Sequence, residues 1–226
     1  NQIICNSYYT KKFIDQEFGV NSQVVYPAIQ LPKTTLRLKK NVILSVGRFS
    51  RTLHDKNQSV LIKAFIKLES KLPDWKLVLV GGTESGSSAL VSQIRHQACN
   101  HRIDVRTDLT PLQLHQLYGQ AKLYWHAAGY GSELENHPEK AEHFGISIVE
   151  AMSYGCVPLV FNAGGPTEIV TPDSGVTWDK LSELEQQTLA LINNSQAWAN
   201  FSAAARNRAA NFSQDTLCQK FHSLLY

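Results

Sequence analysis

The stretch Asn41-Val-Ile-Leu-Ser-Val-Gly47 decides the fold of this 226-residue chain. It is a short apolar run that ends in glycine, as expected of a strand that is buried on both faces of a parallel sheet. Similar runs follow at residues 76–81, 123–126 and 157–161, and a weaker one lies at residues 103–106. Helical patterns separate these runs.

Start signals and apolar spacing both indicate helices. After Asn57, apolar residues recur at helical spacing along residues 61–68. Thr110 with Gln113 forms a capping box, and Ser182 with Glu185 predicts a second box. Two late amphipathic stretches, near 195–210 and 214–225, predict terminal helices, and Ser213 is the expected N-cap of the second. Strands that alternate with helices predict an α/β fold with a doubly wound parallel sheet.

Ligands of such sheets bind at the carboxyl ends of the strands, so the loops after the strands are the candidate site. Residues 27–40, with Pro27 and Pro32, are interpreted as a linker, and residues before them as a separate strand–helix–strand piece. We therefore expect two parts, residues 1–30 and residues 31–226. The chain starts at Asn1 and its one methionine is Met152, so we interpret it as a fragment of a longer protein.

Composition argues against several functions. The formal net charge of +3 is too small to indicate a nucleic-acid partner. No apolar run approaches the length of a membrane-spanning helix. The four cysteines are far apart and form no CxxC pair, which argues against a zinc site. The turn from Gly81 to Gly86 has P-loop spacing but lacks the lysine, which argues against a P-loop nucleotidase.

Two basic residues follow the first main strand. Arg48 comes directly after Gly47, and Lys56 precedes a predicted helix at the same sheet edge. A guanidinium and an ammonium beside a helix N-terminus form a good receptor for a diphosphate. The alternative is two solvated loop cations.

The segment Glu142-His-Phe-Gly-Ile-Ser-Ile-Val-Glu150 carries the second signal. Gly145 predicts a helix start, which places Glu142 in the loop before the helix and Glu150 in its early turns. Amides at the helix N-terminus bind phosphate, and carboxylates accept hydrogen bonds from vicinal hydroxyls. The alternative is an amphipathic helix with exposed acids, but the surrounding apolar residues make unpaired charge costly there.

Taken together, Gly47-Arg48, Lys56-Asn57, the Glu142-to-Glu150 spacing and the Gly164-Gly165 turn resemble glycosyltransferase family 4. The resemblance covers most of the chain from about residue 40. It implies one Rossmann-like half of a GT-B fold, with residues 1–30 as the remnant and hinge of a missing N-terminal, acceptor-binding domain. It also implies retaining transfer of a sugar from a nucleotide sugar, with no cofactor and no metal.

Site roles are implied by the same resemblance. Arg48 and Lys56 would bind the donor diphosphate and Glu142 would face the sugar hydroxyls, which makes these the expected catalytic residues. Glu150 would bind the ribose, and residues 105–109 would contact the base. The full expected donor-binding set is Gly47, Arg106, Leu109, His143, Phe144, Gly145, Ile146, Ser147 and Glu150.

The donor, the reaction class and the location of the protein are further expectations from the sequence. The donor expected first is a UDP-hexose such as UDP-glucose, and GDP-mannose is the alternative. An epimerase, a non-catalytic nucleotide-sugar module and a glycoside hydrolase are the rival functions. We expect a cytoplasmic protein, with membrane contact only through the missing domain. Residues 127–141 depart from the family pattern and predict a mobile flap, while His126 and His143 at its flanks are expected to be structural or donor-contacting rather than catalytic.

Overall fold

The computed structural model describes residues 2–32, 38–50 and 55–225. Arg51 and the middle of the expected linker lie outside the described residues. The strands are β1 (Ile4–Cys5), β2 (Gln23–Val24), β3 (Lys40–Val46), β4 (Lys76–Gly81), β5 (Ile103–Thr107), β6 (Ala121–His126), β7 (Val157–Phe161) and β8 (Val176–Trp178). The helices are α1 (Tyr8–Phe18), α2 (Gln58–Glu69), α3 (Ser88–Ala98), α4 (Pro111–Gln120), α5 (Ile146–Ser153), α6 (Pro166–Ile169), α7 (Leu181–Asn193), α8 (Ser195–Ala210) and α9 (Gln214–Leu225), with a 3₁₀ turn at Pro138–Lys140.

The main sheet confirms the predicted fold class. It has six parallel strands in the order β5-β4-β3-β6-β7-β8. The chain builds outward from β3 to β5 and then returns to place β6 on the other side of β3. This reversal creates a crevice at the carboxyl ends of β3 and β6, which is where such sheets bind ligands.

Helices cover both faces of the sheet. One buried cluster joins the sheet to α2, α3 and α7, with Leu61, Phe65 and Leu184 each fully buried. The other joins it to α4, α5 and α8 through residues such as Ile148 and Ala205. Because both faces of the strands are buried, their sequences are continuous apolar runs rather than alternating ones.

Residues 2–30 contain the predicted strand–helix–strand piece, which packs on the rest of the described chain. Strands β1 and β2 pair in parallel around α1. The Glu168 carboxylate accepts hydrogen bonds from the backbone N–H groups of Tyr8 and Tyr9, at 2.9 and 2.7 Å, and from the Tyr26 hydroxyl at 3.0 Å. A carboxylate at the first turn of α1 also opposes the positive end of that helix. The division at residue 30 stays a prediction.

Helix start signals were predicted with one error. Thr110 Oγ1 accepts from the Gln113 backbone N–H, and Ser213 Oγ accepts from that of Thr216. The predicted N-cap at Ser182 is wrong, because α7 begins at Leu181 and Ser182 is its second residue. Glu183 instead occupies the third helical position, where its carboxylate accepts from the backbone N–H of residues 179 and 180.

Within residues 2–32, 38–50 and 55–225, none of the helices has both the length and the apolar character needed to cross a membrane.

Candidate functional site

A cleft of about 470 Å³ opens at the carboxyl edge where β3 and β6 lie side by side. It contains every predicted site residue except Arg106 and Leu109. Its lining residues are Asn6, Pro27, Val46, Gly47, Arg48, Lys56, Gly81, Gly82, Glu142, His143, Phe144, Gly145, Ile146, Ser147 and Glu150.

Gly47 has no side chain, and this leaves room for the side chain of Lys56. Its N–H donates to the Val80 carbonyl at 2.9 Å, which continues the β3–β4 ladder. A Cβ atom at position 47 would lie 2.6 Å from Cγ of Lys56, because the lysine stem crosses directly over the glycine. Arg48 follows with an exposed side chain at the cleft. The glycine therefore brings both cations to one edge of the sheet.

Glu142 is held at the base of the cleft by two partners. Lys56 Nζ lies 2.5 Å and His126 Nε2 3.0 Å from the same carboxylate oxygen, Oε2. Burial alone would raise the pKa of this carboxyl, but the His126 hydrogen bond and the Lys56 charge outweigh it and hold the pKa well below its usual range. Glu142 is therefore an ionised, acceptor-only group at neutral pH.

The Gly164-Gly165 turn supports the loop that carries Glu142. The N–H of Gly165 donates to the Glu142 carbonyl at 2.8 Å. A Cβ at position 164 would come within 2.3 Å of that carbonyl oxygen, and one at position 165 within 2.3 Å of the His143 carbonyl. Only glycine allows this approach, so the turn positions the site without lining the cleft.

The start of α5 forms the opposite wall. Gly145 precedes the helix with φ of +114°, and Cβ there would meet Ile148 at 2.7 Å. The first-turn N–H groups of an α-helix have no partner within the helix and carry partial positive charge. The Ser147 hydroxyl is already engaged, since it accepts from Tyr124 Oη at 2.8 Å and donates to the Val46 carbonyl at 3.2 Å. Ser147 can therefore serve a ligand mainly through its backbone.

Glu150 lies one turn further along α5 and has a different environment. The Tyr118 hydroxyl donates to its Oε2 at 2.9 Å. Burial raises the pKa of Glu150, and the Tyr118 hydrogen bond and the His115 charge offset this only in part. The two glutamates of the predicted pair thus share the cleft but differ in proton affinity.

Two expected donor-binding residues do not line the cleft. Arg106 Nη2 donates to Asp104 Oδ2 at 2.9 Å, and Lys76 Nζ contacts the same oxygen at 2.9 Å. Residues two apart in a strand share a face, so the edge strand β5 directs Arg106 to Asp104. Leu109 packs half-buried against the core cluster that includes Tyr118. Direct contact of these two side chains with the base stays a prediction.

His126 is a site residue that the sequence interpretation undervalued. It ends β6, its side chain is 3% exposed, and it contacts Glu142. The available signal was its place as the last residue of a predicted strand at the ligand-binding edge. Asn6 and Pro27, from the N-terminal piece, also line the cleft without having been predicted.

The departing segment, residues 127–141, is anchored at both ends. Asn57 Nδ2 donates to the carbonyls of Ala127 and Tyr130, each at 2.9 Å. Near the other end, the Pro138 carbonyl accepts from the Tyr9 hydroxyl at 3.0 Å, and Ala141 is fully buried. Residues 131–140 between these anchors are mostly exposed. Movement of that exposed part stays a prediction.

A family model and several curated proteins are similar in sequence to this chain. The family model described as "Glycosyl transferases group 1" matches residues 29–208. The GDP-Man:Man(3)GlcNAc(2)-PP-Dol alpha-1,2-mannosyltransferase of Homo sapiens is 30% identical over 84% of this chain and 40% of its own length. The enzyme of the same name from Dictyostelium discoideum is 25% identical over 91% and 42%, and a glycogen synthase of Deinococcus deserti is 28% identical over 87% and 41%.

Solved structures share the fold. Anabaena Alr3699/HepE, in complex with UDP and glucose, superimposes with a TM-score of 0.81 at 23% identity, covering 99% of this chain and 62% of its own. TarM gives a TM-score of 0.76 at 18% identity, with 99% and 43% covered. The chain spans about two fifths of the length of the curated relatives that it matches. Since the family model matches residues 29–208, which is most of the chain, the chain belongs to the glycosyl transferases group 1 family.

Proposed function

We propose that this chain is the donor-binding part of a mannosyltransferase that uses GDP-mannose and transfers the sugar to an acceptor hydroxyl with retention at the anomeric carbon. The observation that carries the proposal is the cleft itself. Two cations, Arg48 and Lys56, an ionised Glu142 and the N-terminus of α5 converge on one crevice at the switch point of the sheet.

The cations match a diphosphate. Arg48 offers a planar fork of donors, and Lys56 adds a mobile point charge. First-turn amides of α5 supply further donors and a favourable dipole. Charge that develops on the leaving nucleoside diphosphate would be stabilised by groups that are already in place, which is the main requirement for this type of transfer. Lys56, neutralised by Glu142 in the free protein, would turn its charge to the phosphates.

The carboxylates match hydroxyls. Glu142 accepts hydrogen bonds only, so it selects donors such as sugar hydroxyl groups. Glu150, steadied by Tyr118 at the cleft wall, would accept from the ribose hydroxyls. A glycoside hydrolase also uses paired carboxylates, but it has no use for the adjacent cation pair.

The donor preference comes from the curated relatives. The names of the human and Dictyostelium proteins specify GDP-Man, and Alpha-1,3/1,6-mannosyltransferase ALG2 of Yarrowia lipolytica is 23% identical over 100% of this chain. A UDP-hexose, the donor expected first from sequence, is the second candidate, because Alr3699/HepE was solved with UDP and glucose. That structure is only 23% identical and supports the fold. We therefore favour GDP-mannose over UDP-glucose.

The remaining expectations belong to the same proposal. The acceptor would be bound by a further domain, and the protein would act in the cytoplasm. The cation pair would neutralise the diphosphate without a metal. An epimerase would release an isomerised sugar without an acceptor, and a non-catalytic module would bind the donor without turnover.

Isothermal titration calorimetry with GDP-mannose and UDP-glucose tests the proposal. We expect GDP-mannose to bind at least about tenfold more tightly, which corresponds to about 1.4 kcal/mol. Arg48→Ala should weaken binding strongly. Arg106→Ala is the matched control, because Arg106 lies outside the cleft, and it should bind as the wild type does. Tighter binding of UDP-glucose would overturn the donor assignment, and no binding of either would overturn the nucleotide-sugar function.

A further inference from the structure

His126 is a buried, titratable side chain for which the proposed function has no role. It is the last residue of β6, where it pairs with Val160, and its side chain is 3% exposed. Its Nε2 atom lies 3.0 Å from Oε2 of Glu142. Strand pairing fixes its backbone and close packing fixes its ring, so the imidazole is a rigid partner for the carboxylate.

The proton of this contact belongs to Nε2. Glu142 is ionised, and an ionised carboxylate can only accept, so the imidazole nitrogen that faces it must donate. On the other side of the ring, Nδ1 is buried, and no described residue forms a hydrogen bond with it. A proton on Nδ1 would leave a buried donor without an acceptor among these residues, which is costly. Both observations indicate the tautomer with hydrogen on Nε2.

Of the two partners of the Glu142 carboxylate, Lys56 is more mobile than His126. Its stem is a flexible chain that lies over Gly47, and its ammonium is the group that can reach a bound diphosphate. When the ammonium turns to phosphate, Glu142 loses part of its stabilisation. His126 cannot follow, because it is part of the sheet. It alone of the two would keep the carboxylate in place in the bound state.

We propose that His126 is a positioning residue that holds the Glu142 carboxylate by Oε2 so that Oε1 stays directed to a hydroxyl of the donor sugar. This inference rests on the proposed function, since it assumes that Glu142 meets the sugar. Loss of His126 should weaken the contribution of the donor sugar to binding affinity. The contribution of the diphosphate should stay unchanged.

The test compares three variants of His126 on a nucleotide sugar and on the matching nucleoside diphosphate. His126→Gln keeps an amide donor at about the reach of Nε2, whereas His126→Asn is shorter and His126→Leu has no donor. Calorimetry gives the Kd for GDP-mannose and the Kd for GDP, and the ratio of the two measures the contribution of the sugar to affinity. We expect Asn and Leu variants to lose about tenfold in affinity for GDP-mannose, to keep GDP affinity within about twofold, and to be rescued by Gln. UDP-glucose and UDP are measured in parallel.

Each outcome separates the two proposals. If the wild type binds neither nucleotide sugar, the proposed function fails. If it binds, but the variants lose both ligands equally or Gln rescues nothing, the positioning role fails. A ¹⁵N-histidine NMR spectrum of the wild type needs no ligand and stays informative if a variant does not fold. It should show His126 with hydrogen on Nε2, and the signal should shift in Glu142→Gln; the Nδ1–H tautomer would overturn the inference.

Discussion

Gly47→Ala tests how the fold brings the lysine to the cleft. The new Cβ would lie 2.6 Å from Cγ, 3.1 Å from Cδ and 3.2 Å from Cβ of Lys56. Carbon atoms in contact are normally about 3.5–4.0 Å apart, so the lysine stem must move by about 1 Å. Neither Gly47 nor Gly82 has a positive φ, so the backbone tolerates alanine and the strain falls on the lysine side chain.

The size of the effect follows from the contact that would be lost. Lys56 Nζ lies 2.5 Å from Glu142 Oε2, and a displaced stem takes it away from both the carboxylate and a bound phosphate. A hydrogen bond to a charged group contributes about 1.5–3 kcal/mol. An off-rotamer stem that tries to keep the contact costs about 0.5–1.5 kcal/mol instead. The Kd for the nucleotide sugar should therefore rise about tenfold to a hundredfold.

The assay is calorimetry of Gly47→Ala beside Gly82→Ala. Gly82 lines the same cleft, but its Cβ would meet only Asp108 Oδ1 at 4.0 Å. Gly82→Ala should bind like the wild type, and thermal unfolding should show both variants folded. If Gly47→Ala binds normally, or if both variants lose affinity equally, the idea that Gly47 exists to make room for Lys56 is wrong.

Two further predictions concern charge. Because the pKa of Glu142 is lower in the folded protein than the value of about 4.3 in an unfolded chain, its carboxylate stabilises the fold above about pH 4.3, and this stabilisation is lost as the pH falls toward the folded pKa. The difference in free energy of unfolding between wild type and Glu142→Gln, from urea denaturation, should shrink between about pH 5 and pH 3; a difference that grows on acidification would contradict this. Arg106→Ala should leave the Kd for GDP-mannose within about twofold, because its guanidinium pairs with Asp104 outside the cleft; a tenfold loss would return Arg106 to the donor site.

Sequence patterns predicted the sheet well because its strands are buried on both faces. Each apolar run that ends near a glycine or a polar residue corresponds to a parallel strand, and the loops at their carboxyl ends form the cleft. Gly47, Lys56 and Glu142 were found for the same reason: the edge that gathers them follows from topology. The strand order itself was not predicted, since periodicity does not say which strands are neighbours.

Side-chain direction was harder to predict. Arg106 lies near the carboxyl end of a predicted strand. Side chains alternate between the two faces of a strand, and this alternation directs the Arg106 guanidinium to Asp104. His126 appeared to be an ordinary core histidine, because nothing in its neighbours shows that Glu142, sixteen residues away, returns to contact it. The sequence indicates the Gly164-Gly165 turn, but the contact of this turn with the Glu142 backbone depends on a tertiary approach that no local pattern encodes.

The most direct test of the central claim is a crystal structure of this chain with GDP-mannose. We expect the diphosphate to occupy the cleft within hydrogen-bond distance of Arg48 and Lys56, with a sugar hydroxyl at Glu142. A nucleotide bound elsewhere on the chain, or a diphosphate out of reach of both cations, would contradict it.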